Sequence, residues 1–437
     1  MSSTAFLPEL TAALPTVHPG VLSLLFALAL IASSATKFWL SSRQVRHVVR
    51  HREQVPAAFA ATVPLEAHRK AADYTVVRSR YAMLSLAFTT VLLLGWTLLG
   101  GLDALNTLVH DAIAPRFGAM AYQLALLLAF SVIGGLLDLP WEIYNTFRIE
   151  QRFGFNRTSW KLYLADMAKG VLVGAVIGLP IAALILWLMG SAGQLWWLWA
   201  WGAWMGFNLL ILVLYPTVIA PFFNKFEPLA DAELKTRVEG LMARCGFAAK
   251  GLFVMDGSRR SAHGNAYFTG FGPAKRVVFY DTLLSRLNGS EVEAVLAHEL
   301  GHFKHRHVIK RIVAMFAMSL LGFALLGWLS SQLGFYLAFG VQPNMAAPND
   351  ALALLLFMLV VPVFGFFFTP ISALISRQHE FEADAYACAQ ASGADLCAAL
   401  LKLHEDNAGT LTPDPVYARF YYSHPPASER LAAIQAQ

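Results

Sequence analysis

The 437-residue sequence has few charged residues and few cysteines for its length. Asp, Glu, Lys and Arg make up 14% of the chain, and 57% of the residues are hydrophobic. A soluble domain has about a quarter of its residues charged, so a wholly soluble protein is excluded. The three cysteines are odd in number and lack metal-type spacing, which argues against a cysteine metal site. Residues 1–19 contain no Lys or Arg, so no cleaved signal peptide is predicted.

Long apolar runs take the place of the missing charge. A membrane-spanning helix requires about 20 mostly apolar residues, and seven stretches satisfy that requirement. They are residues 20–40, 83–102, 118–139, 170–190, 196–219, 311–333 and 352–375. The sequence therefore predicts a predominantly α membrane protein with seven transmembrane helices.

The positive charge lies in alternate connections between these runs. Lys and Arg are abundant in residues 41–82, 140–169, 224–310 and the C-terminal tail, and nearly absent from residues 103–117, 191–195 and 334–351. The positive-inside rule then places the N-terminus outside and the C-terminus in the cytoplasm. The net charge of +5 is thereby explained by Lys and Arg in connections on the cytoplasmic side of the membrane, and no nucleic-acid partner is predicted. The Ala- and Leu-rich composition favours a bacterial source and hence the inner membrane.

Residues 298–302 read His-Glu-Leu-Gly-His, the His-Glu-x-x-His pattern of zinc peptidases. On a helix the two histidines share one face and can reach one metal ion, while Glu299 can reach a water beside it. Ser290 and Glu293 are spaced as a capping box for that helix. Chance alone would produce the pattern in about one such chain in a hundred, so a solvent-facing helix with two histidines is the alternative.

A third ligand is predicted where the seventh span ends. Because the sixth and seventh spans form an antiparallel pair, the chain returns to the same membrane face near residue 376. Glu380 and Asp384 follow there at helical spacing. Glu380 can complete a site with His298 and His302, and Asp384 can hydrogen-bond a ligand histidine and orient it. The alternative is an acidic helix face that balances the basic surface.

Residues 224–310 are predicted to form a small soluble α+β insertion. A helix is expected from Asp231 to about Arg244, a strand over 251–255, and a hairpin of 265–269 and 276–280 across residues 270–273. The predicted division is 1–223 with five spans, 224–310 as the peptidase insertion, 311–375 with two spans, and 376–437 as the C-terminal segment. The aromatic segment 140–169 is interpreted as an interfacial helix, with direct substrate contact as the alternative.

The sequence closely resembles the CAAX prenyl protease 1 family. The matching motifs are residues 147–156, 221–226, 264–267, 298–302, 380–384, 414–415 and 422–430. The resemblance implies a helical barrel around a water-filled chamber. It also implies one zinc ion held by His298, His302 and Glu380, with Glu299 as the base.

Further implications of the resemblance concern residues that the motif leaves ambiguous. It implies that Asn265, Ala266 and Tyr267 lie on an edge strand that pairs with substrate, and that His424 and Arg430 belong to the site. From the residues alone, a turn histidine before Pro425 and Pro426 is the favoured interpretation of His424, and an ordinary hairpin strand fits residues 265–267 equally well. His305, His307 and His379 are interpreted as interfacial polar residues rather than ligands.

The resulting prediction is a membrane zinc endopeptidase that cleaves peptides or membrane proteins near the cytoplasmic surface. Prenylated substrates are implied by the resemblance only. The alternatives are a quality-control protease of broad specificity, a transporter or channel with a structural zinc, and an inactive zinc-binding protein. The last is disfavoured because a structural site has no need of Glu299.

Overall fold

The computed structural model describes residues 16–248, 251–269, 276–344 and 348–437, which are mainly helical. The α-helices are α1 (Pro19–Arg50), α2 (Leu65–Trp96), α3 (Gly101–Tyr144), α4 (Trp160–Ser191), α5 (Trp196–Leu214), α6 (Ala220–Phe223), α7 (Ala232–Arg244), α8 (Asp281–Leu284), α9 (Gly289–Lys304), α10 (His307–Ser330), α11 (Leu333–Leu337), α12 (Asp350–Gly365), α13 (Thr369–Gln390), α14 (Gly393–Asp406), α15 (Pro415–Tyr421) and α16 (Ala427–Gln435). The strands are β1 (Phe226–Pro228), β2 (Leu252–Met255), β3 (Ala266–Thr269) and β4 (Arg276–Tyr280). Two π-helical turns, Asn145–Glu150 and Tyr215–Ile219, extend α3 and α5.

Seven helical segments of the described chain are long and apolar enough to cross a membrane. Each overlaps one predicted stretch, so the predicted number of spans is confirmed. The segments are longer than predicted: α1 and α2 have 32 residues each, about 48 Å, against a hydrocarbon core of about 30 Å. Most of the basic segment 41–82 is therefore helix that projects beyond the bilayer, rather than loop.

The third span is interrupted at Gly118, where the backbone has φ 82° and ψ 177°. Glycine adopts a positive φ without steric cost, so the chain can break direction here. The break coincides with the predicted start of the span at residue 118. Residues 103–117, predicted as a loop, are instead helical, and Leu102 and Leu105 are buried at their start.

The predicted interfacial helix in 140–169 is not formed as a separate element. Instead α3 continues through the π-turn to Glu150, and α4 begins at Trp160. The aromatic residues Phe153 and Phe155 pack on Tyr74 of α2, whose hydroxyl donates a 2.7 Å hydrogen bond to Glu150. The rings of Phe153 and Phe155 are therefore buried by protein rather than by lipid.

The two largest hydrophobic cores of the described residues lie at opposite ends of the spans. One joins the helix ends around residues 97–101, 191–195 and 331–341, and its largest fully buried rings are those of Phe26, Phe335 and Phe339. The other packs α7, β2, β4, α9 and α14 together. Among the 18 most apolar consecutive residues of each span, only 6–17% are buried in six of the spans, and 44% in the seventh. Most residues of these six spans are therefore not buried by protein, as expected for helices that form the wall of a hollow barrel.

A four-stranded sheet with the order β1-β2-β4-β3 covers one end of the barrel. The predicted hairpin pairing is confirmed, since β3 and β4 are antiparallel with Tyr267 opposite Val278. The predicted turn over 270–273 lies outside the described residues. The parallel pairing of β2 with β4 and the short strand β1 were not predicted.

Candidate metal centre

Helix α9 carries the His-Glu-x-x-His pattern, and its N-cap residue lies two positions before the predicted cap Ser290. Asn288 is the N-cap residue, and its side chain accepts a 2.9 Å hydrogen bond from the backbone N–H of Glu291. The Glu291 carboxylate accepts a 2.9 Å hydrogen bond from the Asn288 backbone N–H, which completes a capping box. The predicted Ser290 and Glu293 box is wrong because Asn288 reaches the free N–H groups first. Glu293 instead forms ion pairs with two arginines of α7.

His298, His302 and Glu380 come together where α9 crosses α13. Their candidate ligand atoms all lie within 4.8 Å of one another. The Nε2 atoms of the two histidines are 3.3 Å apart, and each lies 3.4–3.5 Å from an oxygen of Glu380. Glu380 Oε2 is buried and has no hydrogen-bond partner. Oε2 lies 3.5 Å from His298 Nε2 and from Arg430 Nη1, beyond hydrogen bonding with either group. A buried carboxylate with an unbonded oxygen, beside two imidazole nitrogens, is an environment that a zinc ion would satisfy.

A glycine allows this close crossing. A Cβ atom at Gly301 would lie 2.9 Å from the Cα and 3.0 Å from the carbonyl oxygen of Ala383 in α13. The backbones therefore touch at this point, one residue before His302. This contact sets the depth at which the two imidazoles meet the Glu380 carboxylate.

Asp384 and Arg430 support the back of His298. The Nδ1 atom of His298 is 2.8 Å from Asp384 Oδ1, and Arg430 donates two hydrogen bonds of 2.6 and 2.8 Å to the same carboxylate. Asp384 is fully buried, so its charge is neutralised by Arg430 rather than by water. Burial alone would lower the pKa of His298, but the hydrogen bond to Asp384 and the nearby Glu380 carboxylate raise it to about 9. Because a ligand nitrogen must be free of its proton, metal binding and protonation compete for this ring.

Glu299 lies beside the three side chains and borders a cavity of about 1080 Å³. The cavity is also lined by Tyr267, Phe268, His302, Glu380 and His424. Burial raises the pKa of Glu299 above its ordinary value of 4.5, while His298 and His302 oppose that rise. A carboxylate whose pKa is raised is better suited to accept and return a proton near neutral pH.

His424 also faces this cavity. Its Nε2 lies 3.5 Å from Glu380 Oε1, and its side chain is 65% exposed. Ser423 Oγ is 3.0 Å from His424 Nδ1. The ring can therefore present its Nε2–H group to a molecule bound in the cavity.

Residues 265–267 lie at the edge of the sheet. Within the described residues, β3 pairs with β4 alone. The Tyr280 N–H donates to the Asn265 carbonyl, so the alternation of an antiparallel ladder directs the backbone groups of Tyr267 toward β4. Those of Ala266 and Phe268 face the opposite side, although the Asn265 side chain accepts from the Ala266 N–H.

Sequence reasoning missed one neighbour of the site. His307, interpreted as an interfacial polar residue, is 2% exposed, and its Nδ1 lies 2.9 Å from Nδ1 of His302. No spacing rule could have found this contact, because it depends on a break between α9 and α10 at Arg306.

Comparisons with known proteins identify the family. The family described as "CAAX prenyl protease N-terminal, five membrane helices" matches residues 44–225, and "Peptidase family M48" matches residues 228–437. The CAAX prenyl protease 1 homolog of Arabidopsis thaliana is 34% identical over 397 residues, covering 88% of this chain and 91% of the plant protein. The chain belongs to the CAAX prenyl protease 1 family.

Other members agree with this assignment. The human CAAX prenyl protease 1 homolog is 30% identical and is covered over 95% of its length, with 94% of this chain aligned. The crystal structure of S. mikatae Ste24p superposes with a TM-score of 0.87 at 30% identity, covering 96% of this chain and all of that one. The CAAX prenyl protease 1 family membership establishes an integral membrane metallopeptidase with a helical-barrel fold. The relatives named here are eukaryotic, so the prediction of a bacterial source finds no support in them.

Proposed function

We propose that His298, His302 and Glu380 hold one zinc ion and that Glu299 is the general base of peptide hydrolysis. The observation that carries the proposal is the buried Glu380 carboxylate, whose two oxygens each lie 3.4–3.5 Å from one imidazole Nε2 and whose Oε2 accepts no hydrogen bond. Two imidazoles and one carboxylate leave the fourth tetrahedral position open, as catalysis requires. When bound, zinc would supply Lewis acidity that polarises a peptide carbonyl and lowers the pKa of a water molecule.

The protein's own proton transfers centre on Glu299. Its carboxylate takes a proton from the attacking water while the oxygen bonds to the peptide carbonyl carbon. The same proton is then delivered to the departing amine nitrogen, so that the C–N bond breaks without release of an amide anion. The raised pKa of Glu299 favours both halves of this transfer.

His424 is proposed to donate a hydrogen bond from Nε2 to the carbonyl oxygen as negative charge develops there. Such a donor typically contributes about 3 kcal/mol to transition-state stabilisation. Asp384 is proposed to fix the His298 tautomer in which Nδ1 carries the proton and Nε2 faces Glu380. Arg430 holds Asp384 in place and also lies 3.5 Å from Glu380 Oε2.

The substrate backbone is proposed to pair with β3. Ala266 and Phe268 direct backbone groups to the open edge of that strand, next to the cavity that Glu299 borders. An extended peptide added to this edge would run past the site as an additional strand. Asn265 and Tyr267 then hold the strand in the sheet by their bonds to β4.

The proposed substrates are peptides near the membrane surface, with prenylated C-terminal cysteine peptides as the first class to test. The relatives described above carry the name CAAX prenyl protease 1, and the apolar barrel beside the cavity could receive a lipid chain. The basic segments 41–82 and 224–310 support an orientation with this site in the cytoplasm and the N-terminus outside. The predicted division at residues 223, 310 and 375 assigns the sheet and α9 to the peptidase insertion.

Two variants of the purified full-length protein test the assignment. Glu299→Gln should retain zinc and lose hydrolysis, whereas His298→Ala should lose both. Each is measured by metal analysis together with cleavage of a farnesylated peptide and of the same peptide without the lipid. Undiminished cleavage by Glu299→Gln would remove Glu299 as the base. Many cuts in unfolded membrane segments, with no preference for the farnesylated peptide, would favour the quality-control protease instead.

A further inference from the structure

His302 and His307 face each other through their Nδ1 atoms, which are 2.9 Å apart. The other ring nitrogen of His307, Nε2, lies 2.8 Å from Glu382 Oε2. His307 is 2% exposed, whereas the Glu382 side chain is 47% exposed. The ring of His379 stacks on His307 with centroids 3.9 Å apart and an interplanar angle of 13°. The two ring nitrogens of His307 are thus held between a proposed metal ligand and a surface carboxylate.

A local backbone distortion produces this arrangement. On a continuous helix, residues 302 and 307 would be five positions apart and would point about 140° away from each other. Helix α9 instead ends at Lys304, and α10 restarts at His307 after Arg306, whose backbone has φ 58° and ψ 31°. A non-glycine residue in this left-handed region costs about 1 kcal/mol or more. The left-handed backbone of Arg306 brings His307 against His302. The strained residue thus lies where a contact with a proposed metal ligand is formed.

The proposed metal site determines which ring nitrogens of His302 and His307 carry protons. Two Nδ1 atoms at hydrogen-bond distance require one proton between them. A ring that ligates a metal through Nε2 keeps its single proton on Nδ1, so His302 must be the donor and His307 the acceptor. Neutral His307 then carries its own proton on Nε2, which donates to Glu382. His302 therefore donates to His307, and His307 donates to Glu382. Neither hydrogen bond can reverse its direction while His302 binds the metal through Nε2.

We propose that His307 is a positioning residue that orients His302 and transmits the negative charge of Glu382 to it. This inference rests on the proposed zinc site. Both candidate histidine ligands then have an anionic support behind Nδ1, but the two supports differ. His298 contacts the fully buried Asp384 directly. His302 reaches its carboxylate through one intervening imidazole, and that carboxylate lies at the surface.

Two substitutions of His307 separate its two hydrogen bonds. The amide oxygen of Asn lies as far along the side chain as Nδ1, so His307→Asn can accept from His302 but cannot reach Glu382. The amide of Gln lies one bond farther, near Nε2, so His307→Gln can donate to Glu382 but offers His302 no acceptor. His307→Phe keeps the ring that stacks on His379 and removes both bonds.

The test is zinc affinity by chelator competition on the detergent-purified full chain, together with the visible spectrum of the cobalt(II)-substituted protein. His307→Phe and His307→Gln should bind zinc 10- to 100-fold more weakly than wild type, with an altered cobalt spectrum. His307→Asn should recover part of the affinity and the wild-type spectrum, and its remaining loss of affinity measures the contribution of the Glu382 charge. His305→Asn is the matched control, since His305 neighbours the same carboxylate without touching His302, and it should bind zinc as wild type does.

Three results would overturn the inference. Wild-type affinity in His307→Phe would show that His302 needs no partner. Equal losses in His307→Phe and His307→Asn, matched by lower thermal stability of the zinc-free proteins, would show that the ring only packs. A second zinc ion that His305→Asn abolishes would make His305, His307 and Glu382 a metal site instead. Absence of tight zinc in the wild type would overturn the proposed function itself, so the two failures are distinct.

Discussion

Substituting Gly301 by alanine should damage the site through packing alone. A Cβ atom there would meet backbone atoms of Ala383 at 2.9 and 3.0 Å, whereas ordinary contacts begin at 3.4 Å. Neither atom belongs to a flexible side chain, so α9 and α13 must separate by about 0.5 Å. Zinc–ligand distances tolerate a change of about 0.2 Å, which is less than this movement. His302 on α9 and Glu380 on α13 could then no longer both bind one ion at favourable distances. We expect lower zinc affinity. Overpacking should also lower the free energy of unfolding by about 1–3 kcal/mol, before the gain in helix propensity from alanine is counted.

Gly240→Ala is the matched control for this prediction. Gly240 lies inside α7, and the nearest atom to an added Cβ is the end of the Arg244 side chain at 3.8 Å. Alanine exceeds glycine in helix propensity by about 1 kcal/mol at both positions, so the difference between the two variants isolates the contact with α13. Thermal unfolding of the zinc-free proteins and chelator competition measure the two effects. Equal stability and equal zinc affinity in both variants would show that Gly301 is not required where α9 contacts α13.

Two further substitutions test buried charges. Asp384→Asn keeps the shape of the side chain but removes the charge behind His298, so zinc affinity should fall 10- to 100-fold in chelator competition, and unchanged affinity would contradict the orienting role. Asp414→Asn keeps the N-cap of α15 but loses the charge that Arg43 contacts at 3.0 Å, at a cost of about 2 kcal/mol near pH 7. Burial would raise the pKa of Asp414, but the hydrogen bond from Arg43 outweighs it and holds the pKa below 3.8. The charge therefore stabilises the fold fully above pH 3.8, and its contribution is lost as the pH falls through the lowered pKa. Thermal midpoints of wild type and Asp414→Asn should converge in acid, and a constant gap would contradict this account.

The spans and the proposed zinc ligands could be predicted because their signals are local and periodic. Twenty apolar residues are sufficient to predict a span, whatever packs around it. Spacing by four places His298 with His302, and Glu380 with Asp384, on single helix faces. Their meeting follows from an antiparallel pair of spans, which the alternating charge of the loops already implied. The roles of these residues remain predictions, although the structure brings them together.

The features that escaped prediction depend on contacts between distant segments. Nothing about Arg306 marks it as a helix break, since arginine is a good helix former, so the contact between His307 and His302 was not predicted. The capping box was misplaced because Asn288 and Ser290 are both good caps, and only tertiary packing of Glu291 and Glu293 decides between them. The segment 140–169 was misread because its aromatic rings can pack on lipid or on Tyr74 of another span equally well.

The most direct test of the central claim is anomalous diffraction at the zinc absorption edge from crystals of the full chain. We predict one strong peak per molecule, about 2.0–2.2 Å from Nε2 of His298, Nε2 of His302 and a carboxylate oxygen of Glu380. No peak within reach of these three atoms in zinc-containing crystals, or a peak held by other residues, would contradict the account.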